Sequence, residues 1–290
     1  MNSVAPPDRG AGSATAASSS TEVDHVVVNA LFDLDAASAL FTALGFTVSA
    51  RGYHSLGSMN HLVMSGSAYL ELVGVPRTGL QRADVMNSPL GLSGLVFKTH
   101  DADATYARTI AEGLSMLAPL DFSRPVSTGG ATREARFRIV RAAPESFPAG
   151  RIYFCEHLTP ELVWDGQGLD HANGFRRLVS ITVETTQMER DRARYASVTS
   201  VTAVAAVTSA TGEGQNPTLQ FRLGDFTLYL TAGEQDRLVD LALEFDDLLV
   251  LEQAAAALPG VIWQRVSEHH AVLQIPDMQL RLNCRASRPS

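Results

Sequence analysis

The feature that most constrains the fold of this 290-residue chain is a pattern that recurs four times along it. Each unit opens with a run rich in β-branched residues, continues into an alanine-rich stretch with helical spacing, and ends in two or three further strand-like runs. The first unit reads VDHVVVNA, DLDAASALFTALG, FTVSARGYH, NHLVMSG and AYLELVGV. Four units with the same order of elements predict an α+β fold built from βαβββ modules.

The connection between the second and third units divides the chain into two halves. Its sequence, LTPELVWDGQGLDHANGF, is rich in Gly, Pro, Asp and Asn, which favours a loop. We therefore predict one pair of modules over residues 23–174 and a second pair over 175–290. Residues 1–22 are small and polar and have no apolar core of a signal peptide, so we expect a disordered leader and no secretory signal.

The charge and the apolar pattern exclude two classes of partner. The net charge is −8 and Lys98 is the only lysine, so the chain has no basic surface suited to nucleic acid or anionic lipid. No apolar stretch approaches the roughly 18 residues of a membrane span. Cys155 and Cys284 are far apart and have no metal-ligand spacing. We expect a cytoplasmic protein whose partner is a small molecule.

Several short motifs give the chain a resemblance to a known superfamily. They are Asp24-His25, Asn60-His61, Tyr69-Leu70-Glu71, His157-Leu158-Thr159-Pro160-Glu161 and His171-Ala172-Asn173-Gly174. With the repeated module, they resemble the vicinal oxygen chelate superfamily, which includes glyoxalase I, extradiol ring-cleaving dioxygenases and resistance proteins that bind bleomycin or fosfomycin. The closer resemblance is to the glyoxalase-like domain proteins of bacteria, and the motifs cover about residues 23–175.

The resemblance implies both a shape and a site. Paired modules would curl into a cup-shaped mixed sheet with flanking helices, and four modules would make two such sheets. A metal ion would lie on the concave face, held by side chains from the first and last strands of the modules. The superfamily uses such a metal to bind two neighbouring oxygens of a substrate or intermediate.

Aligning the four units tests which of them could hold a metal. The counterparts of His25 are Gly94, Ser180 and Asp240, and those of Glu71 in the third and fourth units are Tyr229 and Arg281. In the second unit the register leaves Glu156 or His157, and only one of these can face the cup because strand side chains alternate. The first half alone offers the imidazole and carboxylate ligands that divalent ions prefer.

We therefore predict a zinc, nickel, manganese or iron site formed by His25, Glu71 and His157. Glu156 or His157 would move the proton during catalysis. The expected lining of the substrate pocket is His61, Tyr69, Glu161 and Trp164. Two of these have equally good structural explanations, because His61 also suits an exposed strand position and Glu161 a helix or turn cap.

Three functions are compatible with this pattern. The first is a lyase or isomerase that acts on a small oxygen-rich metabolite through a metal-stabilised enediolate. The second is an extradiol ring-cleaving dioxygenase with a His/His/Glu iron site, although such four-module enzymes carry their metal ligands in the C-terminal half. The third is a non-catalytic protein that binds a small molecule. Paired modules could also close between two chains, which leaves a homodimer open.

Overall fold

The computed structural model describes residues 21–206 and 217–287, and the predicted leader therefore lies outside the described residues except for its last two positions. The first half contains two βαβββ modules. The first module consists of β1 (Val23–Leu31), α1 (Leu34–Ala43), β2 (Gly52–Tyr53), β3 (Met59–Met64) and β4 (Tyr69–Gly74). A short helix, α2 (Ala83–Met86), leads to the second, which consists of β5 (Gly91–Lys98), α3 (Ala102–Ala111), β6 (Leu120–Thr128), β7 (Ala131–Arg141) and β8 (Arg151–His157).

The second half repeats the arrangement. Its first module consists of β9 (Phe175–Thr185), α4 (Met188–Thr199), β10 (Val204–Ala205), β11 (Thr218–Leu223) and β12 (Phe226–Ala232). Its second module consists of β13 (Arg237–Phe245), α5 (Leu249–Ala257), β14 (Ile262–Ser267), β15 (His270–Ile275) and β16 (Leu280–Ala286). The four predicted βαβββ modules are therefore confirmed, as is the α+β class.

Each half forms one mixed sheet of eight strands. The order is β2-β3-β4-β1-β5-β8-β7-β6 in the first sheet and β10-β11-β12-β9-β13-β16-β15-β14 in the second. In both sheets the opening strand of a module runs parallel to its closing strand, and the two opening strands pair antiparallel at the centre. The boundary between the two sheets therefore lies between β8 and β9. That residues 23–174 and 175–290 are separate domains stays a prediction.

The first sheet curls until its two edge strands meet. The backbone N–H of Ser55, just after β2, donates to the carbonyl of Ser123 on β6 at 2.9 Å. This contact makes the cup nearly a closed barrel, so side chains on the concave face of all eight strands point into one small interior. That interior is an apolar cluster that includes Val27, Leu62 and Ile139. Polar groups inside it must find partners among themselves.

The convex face of the first sheet packs against the helices and the second sheet in one continuous core. Helix α1 contributes Leu34, Ala37 and Phe41, which are buried at the helical spacing that the sequence predicts. The helix ends before Gly45, whose φ of +87° is typical of a glycine just after a helix C-terminus. Within the described residues, no helix is both long enough and apolar enough to cross a membrane.

Candidate metal centre in the first cup

His25 and Glu71 lie together on the concave face of the first sheet. Strands β1 and β4 are parallel neighbours, with His25 opposite Tyr69 and Val27 opposite Glu71. His25 Nε2 is 3.7 Å from Glu71 Oε2, and the two residues are only 3% and 7% exposed. Two ligand atoms of one metal ion are separated by about this distance when each metal–ligand bond is close to 2.1 Å. The predicted pair therefore converges.

Asp24 holds the imidazole of His25 in place. The pairing of β1 with β5 shifts register between Val23 and His25. Asp24 lies at this irregularity, and its fully buried side chain points inward beside His25. Its Oδ1 is 2.6 Å from His25 Nδ1, and the ring of Tyr69 stacks on His25 with a centroid distance of 4.5 Å. A carboxylate on one ring nitrogen leaves the other nitrogen oriented as an acceptor, which is the usual arrangement behind a metal-binding histidine.

The Asp24 carboxylate is also bonded to a second histidine. His157 Nε2 lies 3.0 Å from Asp24 Oδ2, and His157 Nδ1 is buried without a hydrogen-bond partner in the described structure. Burial alone would raise the pKa of Asp24, but its hydrogen bonds to His157 and His25 hold that pKa well below its usual range. Asp24 is therefore ionised and bridges two imidazoles.

This bridge changes the predicted ligand set. Asp24 lies between His25 and His157, so the described structure does not gather His157 with His25 and Glu71 around one point. Ligand atoms of Asp24, Cys155 and His157 do lie within 4.8 Å of one another. However, both carboxylate oxygens of Asp24 already contact imidazole nitrogens, and burial raises the pKa of the Cys155 thiol well above its usual value. Asp24 therefore orients His25 in the described state, with His157 on its other side.

Glu71 has its own anchor and a further neighbour. Asn60 Nδ2 donates to Glu71 Oε1 at 2.7 Å, which leaves Oε2 directed towards His25. Burial would raise the pKa of Glu71, but nearby His25 and His54 and the bond from Asn60 lower it overall. The hydroxyl of Tyr153 lies 3.2 Å from His25 Nε2 and completes a set of three oxygen and nitrogen donors around the same point.

Glu156, one of the two residues predicted to move a proton, does not face the cup in the described structure. Glu156 points to the convex face, where its Oε2 accepts a hydrogen bond from the backbone N–H of Ala102 at the start of α3. It therefore caps a helix. The counterpart of Glu71 in the second module is Tyr153, because Gly94 lies opposite Arg151 just as His25 lies opposite Tyr69.

The same comparison can be made in the second sheet. Ser180 lies opposite Thr227, so Tyr229 takes the place of Glu71 in the third module, as predicted. In the fourth module Ala242 lies opposite Asn283, just as Val27 lies opposite Glu71 in the first. Asn283, and not the predicted Arg281, is therefore the counterpart of Glu71. Asp240 and Arg281 form an ion pair with a 2.6 Å contact. In the described residues of the second cup, no imidazole–carboxylate pair matches His25 and Glu71.

Of the four predicted pocket residues, two lie at the site and two do not. Tyr69 lines the cavity beside His25, and Trp164 packs against the rings of Tyr69 and His157 at 5.4 and 5.9 Å. His61 points away from the cup, since its Nδ1 lies 2.8 Å from the carbonyl of Ser49. Glu161 is exposed and pairs with Arg133 at 2.8 Å.

The cavity between His25 and Glu71 has a volume of about 20 Å³ and is lined by several residues that the sequence analysis missed or placed elsewhere. A volume of this size holds an ion or a single water. His54 is buried here, and burial lowers its pKa to about 4. Arg82 and Arg124 also line the cavity. Arg82 lies in GLQRADVM and Arg124 in DFSRPVST, and neither segment has a local pattern that indicates a site. The two side chains converge because of the loop before α2 and the closure of the sheet at β6.

Similarity to known proteins agrees with this architecture. A family model described as a glyoxalase-like domain matches residues 23–199, which is more than half of the chain and extends past β8 into the third module. No protein with curated annotation matches the chain.

Solved structures share the fold at low sequence identity. A hypothetical protein from Staphylococcus aureus is 11% identical, with a TM-score of 0.66 over 92% of this chain and 100% of that one. A mutant of 4-hydroxymandelate synthase from Streptomyces coelicolor is 15% identical, with a TM-score of 0.53 over 93% of this chain and 95% of that one. A variant of homoprotocatechuate 2,3-dioxygenase from B. fuscum, in complex with HPCA, is 16% identical, with a TM-score of 0.54 over 92% and 72%.

The paired modules, the inward-facing histidine and glutamate on neighbouring strands, and the family match lead to one assignment. The chain belongs to the glyoxalase-like domain family of the vicinal oxygen chelate superfamily.

Proposed function

We propose that this protein is a metal-dependent isomerase or lyase of the glyoxalase type that acts on a small, oxygen-rich, anionic metabolite. The observation that carries the proposal is the 3.7 Å approach of His25 Nε2 to Glu71 Oε2 inside a nearly closed cup. Each of the two groups is held by a further buried residue, His25 by Asp24 and Glu71 by Asn60. Members of the superfamily generally depend on a metal ion.

The donor set fits a catalytic divalent ion. It offers one oriented imidazole, one carboxylate and the hydroxyl of Tyr153, which would leave coordination positions for oxygens of a substrate. An ion held there would polarise a substrate carbonyl and stabilise negative charge that develops on its oxygen. The cavity of about 20 Å³ would hold the ion alone, so a substrate would have to displace side chains of the wall to reach it.

The arginines around the cavity favour a negatively charged substrate. Arg124 is largely buried on β6, and its guanidinium donates to no acceptor in the described residues. Its burial lowers its pKa, while the nearby Glu71 raises it. A guanidinium with free donors suits a substrate carboxylate or an anionic intermediate. Arg82 is already paired bidentately with Asp84 and adds positive charge to the same wall.

His54 is the residue that we assign to proton transfer in place of Glu156. It lines the cavity, and a pKa lowered to about 4 by burial keeps it neutral near pH 7. A neutral imidazole can accept a proton at one nitrogen, and its Nδ1 is already positioned 2.8 Å from Ser58 Oγ. His54 would remove a proton from the carbon next to the substrate carbonyl and return it to a neighbouring position.

Ring cleavage of a catechol is the second candidate, because homoprotocatechuate 2,3-dioxygenase has the same fold. That chemistry commonly uses two histidines and a carboxylate on iron. Neither predicted second histidine fits, since His157 is separated by Asp24 and His61 faces outward. A binding protein without catalysis is the third candidate, and a homodimer stays a prediction that sedimentation would test.

Elemental analysis of the purified protein tests the proposal. We expect about one zinc, nickel, cobalt or manganese ion per chain in the wild type and a loss of that ion in His25→Ala and Glu71→Ala. His61→Ala and Glu156→Ala are matched controls, because these residues lie on strands of the same sheet but face outward. Iron with oxygen uptake on catechols would favour the dioxygenase. Absence of any metal, with unchanged stability in a chelator, would favour the binding protein.

A second measurement separates metal binding from catalysis. His54→Gln should retain the metal of the wild type and lose turnover of α-hydroxycarbonyl or dicarbonyl substrates by about 100-fold or more, since general acid–base groups contribute on that scale. Retention of full turnover in this variant would remove His54 from the mechanism while leaving the metal site intact.

A further inference from the structure

A second and larger cavity lies outside the cup, beside the start of β8. It has a volume of about 380 Å³ and opens between α2 and the turn after it, the end of β7, and the loop that leads into β8. Tyr153 lies on the wall of both cavities, with its hydroxyl at His25 in the smaller one. Nothing in the glyoxalase-type chemistry proposed above uses this space, whose volume is in the range of small-molecule sites.

Three guanidinium groups gather around a single carboxylate at this cavity. Arg82 binds Asp84 bidentately, with contacts of 2.8 and 3.0 Å. Arg151 Nη1 is 3.5 Å from the same carboxylate, and Arg141 lies near enough for its pKa to respond to it. Glu71 lies on the other side of the wall and also interacts with Arg82 and Arg151, so two carboxylates face three guanidinium groups. The cluster therefore keeps one excess positive charge in a partly buried place.

The donors that remain have no acceptors. The Nε atoms of Arg141 and Arg151 are buried and have no hydrogen-bond partner in the described residues. Arg141 donates to no side chain or backbone carbonyl of that part of the chain, and Arg151 otherwise reaches only Ser93 Oγ at 3.4 Å. Burial lowers the pKa of Arg141, and so does repulsion from Arg82 and Arg151. Unsatisfied buried donors are costly unless an acceptor arrives.

Most of the remaining lining is apolar, although Asn87 and Ser88 also contribute to it. The apolar residues include Leu117, Pro144, Phe147, Pro148, Ile152 and Pro89. Proline and phenylalanine side chains are rigid or nearly so, so this wall would lose little entropy when a ligand packs against it. The cavity therefore combines cationic and apolar lining.

We propose that this cavity binds a small organic anion with an apolar body. Its carboxylate or phosphate accepts hydrogen bonds from Arg141 and Arg151, and its apolar part packs against Leu117, Pro144 and Phe147. Planar guanidinium groups match the geometry of these anions, which would accept from the terminal Nη donors that Arg141 and Arg151 present to the cavity wall. None of these ligand-binding residues is among the proposed metal ligands, although Tyr153 lines both cavities.

Calorimetric titration with three matched probes tests this proposal. Phenylbutyrate supplies the carboxylate, phenylbutanol is its neutral analogue, and phenylbutylamine is its cationic analogue. We expect phenylbutyrate to bind at least about tenfold more tightly than the alcohol, because hydrogen bonds to charged groups contribute on this scale. The amine should not bind. Phenyl phosphate then shows whether the site prefers a phosphate, and binding of either anion supports the proposal.

Variants locate the binding. Arg141→Gln removes no hydrogen bond of the described chain, so it should fold normally and weaken phenylbutyrate binding by about tenfold or more. Arg151→Gln should do the same. Arg133→Gln is the matched control, because Arg133 is on the same strand as Arg141 but pairs with Glu161 at the surface. Equal affinity for phenylbutyrate and phenylbutanol, or unchanged binding in Arg141→Gln, would overturn the proposal.

Discussion

The buried carboxylate of Asp24 offers the sharpest test of how this cup is built. Asp24→Asn keeps the size of the side chain, so it creates no cavity, but it removes the charge that bridges His25 and His157. The two contacts are 2.6 and 3.0 Å long in a fully buried place. An asparagine can accept from one imidazole only, and its amide would face an N–H group of the other.

The size of the effect follows from these contacts. Hydrogen bonds to charged groups contribute about 1.5–3 kcal/mol each, and breaking a buried charged pair costs about 3–5 kcal/mol. We therefore expect Asp24→Asn to lower the free energy of unfolding by about 3–5 kcal/mol, measured by urea denaturation with circular dichroism. Loss of the carboxylate behind His25 should also weaken metal binding by about 10–100-fold.

Asp240→Asn is the matched control, because Asp240 pairs with Arg281 in the second cup but is partly exposed. Partly exposed pairs contribute about 0.2–1 kcal/mol, so this variant should be nearly as stable as the wild type. A loss below about 1 kcal/mol for Asp24→Asn would show that the carboxylate is not ionised between two imidazoles in the folded protein, and the account of His25 orientation would fail.

Three further perturbations test other parts of the structure. His54 stays neutral in the fold down to pH about 4, while the unfolded chain takes up its proton near pH 6.5. As the pH falls from 6.5 to 4, the free energy of unfolding of the wild type should therefore drop by about 3 kcal/mol more than that of His54→Gln, measured by denaturant titration. The control variant His100→Gln should show the same pH dependence as the wild type. Glu156→Ala should lose about 1 kcal/mol of stability through its helix cap, with unchanged metal content by elemental analysis; loss of metal would return Glu156 to the site. Gly91→Ala should lower the free energy of unfolding by about 2 kcal/mol or more, because φ is +81° and a Cβ would lie 2.6 Å from a backbone carbonyl oxygen of the second half. Gly66 is exposed and a Cβ there would meet no neighbouring atom, so Gly66→Ala should match the wild type in calorimetry. Equal losses in the two variants would contradict this account.

Much of the fold was predictable because it depends on local patterns. Spacing and backbone preference predict the elements of the first module. Examples are the opening strand VDHVVV, the apolar stripe of Leu34, Ala37 and Phe41 on α1, and the glycine that follows α1. Repetition then strengthened every individual assignment. The pairing of His25 with Glu71 was also predictable, since both follow from the first and last strands of one module.

The exact members of the site were harder to predict, and Glu156 and His157 show why. Because side chains alternate along β8, only one of the two can face the cup, but the alternation does not predict which one. Neither residue is the counterpart of Glu71 in the structure. Tyr153 holds that place because of the register between β5 and β8. A shift by one residue reverses the face of every side chain on a strand, so register errors change the whole list of site residues.

The sequence by itself determined the module type and its fourfold repetition, because these depend on short-range periodicity, and the resemblance to the superfamily then implied one imidazole–carboxylate pair in the first half. Only the tertiary structure decided that Asp24 turns inward beside His25, that His157 lies behind Asp24, and that Arg82, Arg124 and His54 meet around Glu71. These placements depend on a local irregularity in β1, on loops, and on closure of the sheet between Ser55 and Ser123. Such long-range contacts bring together residues that no local pattern relates.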